Sequence, residues 1–141
     1  MKRAFLFAGQ GQQFLHMGQD LAEAYPVVSK MYQTAEKISG IDILNLDEAS
    51  LNQTRNTQLA LYVLECAISE LLKDIAVDVV AGLSLGEYAA LTKAGVIDFE
   101  TGVTLIQKRG AIMDSAFETG TTGMVALLKT NIEAVEAALS G

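Results

Sequence analysis

Ser84 sits in Gly82-Leu83-Ser84-Leu85-Gly86, directly after the apolar run Val79-Val80-Ala81 and before Glu87-Tyr88-Ala89-Ala90-Leu91, a good helix former. Gly-x-Ser-x-Gly between a strand and a helix is the sequence form of a nucleophile elbow, a sharp turn that lifts one hydroxyl clear of the backbone. The chemistry on offer is acyl transfer. The hydroxyl attacks a carbonyl carbon, and the charge that develops on the carbonyl oxygen meets the free N–H groups of the following helix, the Leu85 amide among them. Gly82 and Gly86 have a steric task, since a Cβ at either position would collide where strand and helix close on each other. The plainer reading is a glycine turn in which Ser84 only caps the helix.

A second glycine pair lies in Gly9-Gln10-Gly11-Gln12-Gln13, after a short apolar stretch at 3–8. It lets the backbone approach a ligand at the end of a strand, with the Gln10 amide as a donor beside Ser84. An ordinary glycine turn accounts for the same residues. A dinucleotide loop does not, because the third glycine of G-x-G-x-x-G would fall on Phe14. Arg109 lies on a predicted helix with Leu105, Ile106, Ile112 and Met113 at i−4, i−3, i+3 and i+4. A guanidinium there reaches past the stripe to water, pairs, or grips an anion, and its planar fork suits a carboxylate. His16, the sole histidine, has no spacing that brings it to Ser84 as a base, and a solvated or packing role fits it better.

The elements that must hold these groups follow from pattern. Residues 3–8 read as a short buried strand, 75–81 as the strand feeding the elbow, and 85–94 as the helix leaving it, closed by Gly95. Helices are expected over 17–25 and 26–39, the second opened by Pro26 and stopped by Gly40. Residues 41–46 make a short extended piece or helical turn, and 47–56 a polar connection. The run 57–74 is apolar on most faces and so a central helix. Asp98 caps a helix to about Phe117, 119–123 is a glycine- and threonine-rich break, 124–129 a new strand and 131–139 a helix.

The 141 residues suit one domain with a sizeable core, half of them hydrophobic. A net charge of −7 without a basic run argues against nucleic acid as a partner. Cys66 is the only cysteine, so an internal disulfide is impossible, a metal site is not expected, and the thiol reads as a small buried hydrophobe. The apolar part of the N-terminus is too short for a signal peptide, and Glu65 and Glu70 interrupt the greasiest segment, which is too short to span a bilayer. The expectation is a soluble, cytoplasmic protein.

With Phe7-Ala8-Gly9-Gln10-Gly11-Gln12-Gln13, Gly82-Leu83-Ser84-Leu85-Gly86-Glu87-Tyr88 and Lys108-Arg109-Gly110 in this order, the chain resembles the malonyl-CoA:acyl carrier protein transacylase family of bacterial fatty acid synthesis. Leu51-Asn52-Gln53-Thr54, Thr57-Gln58 and Gly95-Val96-Ile97-Asp98-Phe99 agree with it. The resemblance implies an α/β acyltransferase fold with a hydrolase-like parallel-sheet core over 1–118, and the first strand and helix of a ferredoxin-like small subdomain over 119–141. It implies malonyl-CoA and acyl carrier protein as substrate and partner, an acyl-serine intermediate, and neither cofactor nor metal. Ser84 becomes the nucleophile, the Gln10 and Leu85 amides the oxyanion hole, Arg109 the grip on the malonyl carboxylate, and Met113 part of the acyl pocket.

Leu83 replaces a histidine common in the family, Ala8 a frequent proline, and His16 a usual glycine. The family's enzymes are also about twice as long, and their catalytic histidine lies in the half this sequence does not cover. The expectation is therefore an amino-terminal half, inactive alone, whose missing half could come as a separate chain. An acyl thioester or ester hydrolase and a non-catalytic fragment that binds acyl carrier protein are the alternatives.

Overall fold

Two short β-branched and aromatic stretches, far apart in sequence, pair to seat the serine. In the computed structural model, which describes residues 2–116, 121, 127 and 129–140, β1 (Ala4–Phe7) and β2 (Val79–Gly82) run parallel. Ala4 lies opposite Val79 and Phe7 opposite Gly82. A parallel pair needs a long crossover, and α1 (Gln19–Ala24), α2 (Pro26–Ser39), a 3-10 turn (Ile43–Asn45), α3 (Glu48–Leu51) and α4 (Thr54–Leu71) provide it. After β2 come α5 (Gly86–Lys93), α6 (Phe99–Ser115) and α7 (Ile132–Leu139).

The chain is α/β, and the differences from the expected elements have local causes. β2 opens at Val79, not at 75, because its partner sets its length: the Asp78 and Val79 amides both reach the Arg3 carbonyl, and the Arg3 amide donates to the Asp78 carboxylate at 2.8 Å, where the ladder ends. The stretch expected as a polar connection at 47–56 contains a helix, α3, capped by the Asp47 carboxylate on the Ser50 amide at 2.7 Å, and its last residues already belong to α4. α1 starts at Gln19 because Gly18, at φ 83°, takes the left-handed turn before it. Asp98 and Asn131 cap α6 and α7 as their residue types predict. The expected end of α6 at Phe117 lies outside the described residues. So do the break at 119–123 and the strand at 124–129, apart from Thr121, Leu127 and Lys129.

α4 is the central element. Asn56 through Val63 are all buried, so this helix meets protein on every side over two turns. α6 crosses it closely. A Cβ on Gly102 would overlap the Tyr62 ring and hydroxyl, and one on Gly110 would stand 2.5 Å from the Arg55 Cα. The Tyr62 hydroxyl meets Thr92 Oγ1 of α5 at 2.8 Å and donates to the Phe99 carbonyl of α6 at 3.3 Å. Phe5 and Phe7 turn toward this core, while Leu6 (80% exposed) and Val79 (58%) show the sheet's other face uncovered.

Glu65 breaks the apolar run of α4, and its Oε1 accepts the Ala8 amide at 2.5 Å. Burial pushes its carboxyl up from 4.5 to about 7, and the Ala8 hydrogen bond opposes part of that. A carboxyl raised on folding binds protons more tightly in the native state. Its contribution to stability is therefore full below pH 4.5 and is lost as pH rises through about 7. Glu65→Gln, which cannot ionise, should raise the free energy of unfolding at pH 8 by on the order of 1 kcal/mol, the carboxyl's partial exposure to solvent reducing the full linkage value. The two proteins should unfold alike at about pH 4. Chemical denaturation at both pH values checks this.

Candidate active site

The elbow is assembled as its glycines require. Ser84 adopts φ 55°, a left-handed conformation costly for a residue with a side chain. The Leu83 amide still joins the ladder through the Phe7 carbonyl at 3.1 Å, and the Gly86 amide reaches back to the Leu83 carbonyl at 3.0 Å, closing the turn on either side of the serine. A Cβ on Gly82 would overlap the Gly86 carbonyl and the Glu87 amide. A Cβ on Gly86 would strike β1 instead, at the Phe7 and Ala8 carbonyls. Gly86 thus serves contact between elbow and neighbouring strand, a role the motif alone does not show.

The glycine loop after β1 lies against this turn. A Cβ on Gly9 would sit 3.0 Å from the Leu83 carbonyl oxygen, so the loop backbone passes directly beside the elbow. The Gly11 amide donates to the Gln13 side chain at 2.9 Å, which pins the loop's far side. Among the described residues the amides of Gln10 and Leu85 donate to no protein acceptor. The Ser84 side chain is exposed, and Leu85 behind it is buried.

Arg109 reaches the serine from α6. Its Nη2 donates to Ser84 Oγ at 2.8 Å and its Nη1 to Gln58 Oε1 at 2.5 Å, and its Cζ lies 5.9 Å from the centre of the Tyr88 ring. Gln58 is fully buried, and its Nε2 donates in turn to Met113 Sδ at 3.2 Å. Ser84, Arg109, Gln58 and Met113 therefore form one chain of hydrogen bonds linking the elbow, α6 and α4. Lys73 and Glu70 make the only ion pair among the described residues, so Arg109 has no carboxylate partner there. A half-buried cation 2.8 Å from a nucleophile-type hydroxyl, held by a neutral amide, leaves its charge available to an anion.

The apolar stripe expected around Arg109 is corrected. The side of α6 that enters the core is Gly102, Val103, Ile106 and Gly110. Leu105, Ile112 and Met113 are exposed, so the arginine stands at the edge of the buried face. Its reach to Gln58 follows from Gly110, whose missing side chain brings α6 onto the start of α4. Gln58 and Tyr88 have no role assigned by the sequence reading. A glutamine inside an apolar helical run was the available signal for the first, since buried polar groups are kept only with partners. His16 is exposed, with Nδ1 3.2 Å from the Leu44 carbonyl, and among the described residues no hydrogen bond joins it to Ser84. No three His, Cys, Asp or Glu side chains among the described residues group as metal ligands, and no described helix is long and apolar enough to cross a membrane. Burial raises the Cys66 thiol to about 12, so it is no nucleophile.

Comparison with known proteins places this arrangement among relatives. The acyl transferase domain family matches residues 4–139. The malonyl CoA-acyl carrier protein transacylase of Synechocystis is 46% identical over 133 residues, 91% of this chain and 44% of the relative. That of Bacillus subtilis is 39% identical over 142 residues, 96% of this chain and 44% of the relative. The crystal structure of MCAT from Streptococcus pneumoniae superposes with a TM-score of 0.89 at 45% identity, covering 99% of this chain and 47% of that one. A type II PKS acyl-carrier protein in complex with its malonyl-transacylase matches at TM-score 0.79 and 40% identity, over 83% of this chain and 40% of the other. The fold is thus shared with these acyltransferases, and the chain spans about half the length of the curated relatives it matches.

Proposed function

The chain belongs to the acyl transferase domain family, and from that premise we propose that it carries the nucleophile and the carboxylate grip of a malonyl-CoA:acyl carrier protein transacylase of fatty acid synthesis, acting in the cytoplasm. The observation that carries the reading is Arg109 Nη2 at 2.8 Å from Ser84 Oγ. Malonyl differs from other short acyl groups by a free carboxylate next to the reacting thioester. A guanidinium beside the serine binds that carboxylate bidentately once Nη2 releases the hydroxyl. Met113, hydrogen-bonded through Gln58 to the same arginine, lines the acyl pocket.

In the first half-reaction Ser84 Oγ attacks the thioester carbonyl and its proton passes to a general base. The Gln10 and Leu85 amides stabilise the oxyanion, the C–S bond breaks, and coenzyme A leaves as the protonated thiol. In the second, the phosphopantetheine thiol of acyl carrier protein gives up its proton and attacks the acyl-serine, and the Ser84 hydroxyl is restored. An acyl group moves between sulfur and oxygen with no change of oxidation state, so side chains and amides suffice and no cofactor is needed. The base is a histidine from the part of the relatives' length that this chain does not span. Alone, the chain holds a hydroxyl nearly all protonated at neutral pH and is inactive.

Two features support reading the chain as part of a larger enzyme. Parallel sheets are ordinarily covered on both faces, whereas here Leu6, Val79 and Leu83 (71%) are exposed on one side. α7 buries none of its residues, in keeping with 1–118 as the hydrolase-like core and 119–141 as the opening of a ferredoxin-like subdomain. The hydrolase alternative is disfavoured by Arg109, because a cation at the acyl site serves no neutral acyl group.

Denaturing intact mass after incubation with malonyl-CoA tests the proposal. With the complementary half present, one malonyl should appear on the peptide containing Ser84, and adding acyl carrier protein should remove it. The chain alone should stay unmodified. Absence of the adduct with both halves present, or its release to water at the same rate without carrier protein, would overturn the assignment.

A further inference from the structure

We propose that Glu65 is a positioning residue for the oxyanion hole, its carboxyl holding the Ala8 amide and, through it, the Gly9–Gln10 backbone against the elbow. The inference rests on the role given above to the Gln10 amide. Ala8 is the first residue beyond β1, and the end of that strand is fixed from two sides. On one side the Phe7 carbonyl accepts the Leu83 amide at 3.1 Å, within the elbow. On the other, the Ala8 amide donates to Glu65 Oε1 at 2.5 Å. Two residues later comes Gln10, with only Gly9 between, itself packed on the Leu83 carbonyl.

Glu65 holds this place at a cost. Its Oε2 is buried and has no hydrogen-bond partner among the described residues. The groove around it, of about 420 Å³, is mostly apolar, with Phe5, Phe7, Leu61 and Leu64 in its lining and Gln12 and Ser69 its other polar side chains. An ionisable group among those side chains is disfavoured unless a specific bond requires it, and the bond present is to Ala8. Gly9 and Gly11 flank Gln10, and the Gly11–Gln13 hydrogen bond restrains only the far side of the loop, leaving its near side to be set from Ala8. An anchor at its first amide fixes where the Gln10 N–H stands relative to Ser84. A displacement of about 1 Å there matters, because oxyanion donors act only at hydrogen-bond distance from the transition state.

The test uses the protein that carries this chain at full length, labelled with ¹⁵N, as wild type, Glu65→Gln, Glu65→Leu and Glu65→Ala. Glu65→Gln keeps a carbonyl oxygen for the Ala8 amide; the other two do not. The Ala8 and Gln10 amide resonances should stay near their wild-type positions in Glu65→Gln and move together in Glu65→Leu. The rate of malonyl loading at saturation should fall on the order of 10–10²-fold in Glu65→Leu, with the malonyl-CoA KM unchanged and Glu65→Gln restored to near wild type. Glu65→Ala makes the same test with least demand on packing should the leucine variant not fold. A Gln10 amide that does not move when Ala8 loses its acceptor would overturn the proposal, as would wild-type loading by Glu65→Leu. If the wild type itself takes up no malonyl, the transacylase reading fails, and the coupled Ala8 and Gln10 shifts alone decide whether Glu65 sets the loop.

Discussion

Arg109→Ala should reduce malonyl loading of Ser84 on the order of 10²–10³-fold in kcat/KM, while loading from an uncharged short acyl-CoA stays the same or improves. Removing one member of a desolvated charge pair costs about 2–5 kcal/mol, much of it from leaving the other charge buried without a partner. Here the stranded charge would be the malonyl carboxylate, beside Ser84 and without the guanidinium that faces the serine. Arg109→Lys should recover only part of the loss. An ammonium offers no planar fork and cannot hold Gln58 Oε1 and a carboxylate in one plane. A neutral acyl group needs none of this, so the ratio of the two rates, measured by competition between acyl-CoAs, isolates the arginine from any general damage to the elbow. Malonyl preference that survived Arg109→Ala would sink its role as carboxylate grip.

The contrast between Arg109 and Gln58 shows what was legible in the sequence and what was not. Ser84, the two glycines around it and the Gly9–Gly11 loop announce themselves because each needs a backbone conformation or close approach that few residues permit, and such needs are local. The stop at Gly40 was readable for the same reason, and the cap at Asp98 because its carboxylate bonds an amide three residues on. Gln58 lies far from Arg109 in sequence, and the bond between them exists because Gly102 and Gly110 let α6 settle onto α4. That packing is tertiary. Helical periodicity was right in part: it grouped Arg109 with Leu105, Ile106, Ile112 and Met113, of which only Ile106 is buried, whereas the small residues Gly102 and Gly110 mark the contact with α4. Likewise the length of β2 could not be read from its own residues, since it is set by where β1 begins. Glu65 gave a sequence signal, a carboxyl in an apolar run, but its partner is a backbone amide that no side-chain pattern encodes.

Ser84→Ala should abolish the malonyl adduct and lower transfer to acyl carrier protein by a factor on the order of 10⁶, the scale of loss when a serine nucleophile is removed. Binding is expected to behave in the opposite way. In the free protein Ser84 Oγ occupies one of the Arg109 N–H donors, at 2.8 Å. Alanine would free that donor without unfolding the turn, since it tolerates φ 55° no worse than serine does. Malonyl-CoA should therefore bind the alanine variant at least as tightly as the wild type, measured by calorimetry on protein that cannot turn over. Arg109→Ala should show the complementary pattern, weakened binding with the nucleophile intact. If Ser84→Ala lost binding together with chemistry, the hydroxyl would be part of the substrate grip and the division of labour between serine and arginine would be wrong. If it kept the adduct, the acyl group would reside on another side chain, and Ser84 would not be the nucleophile.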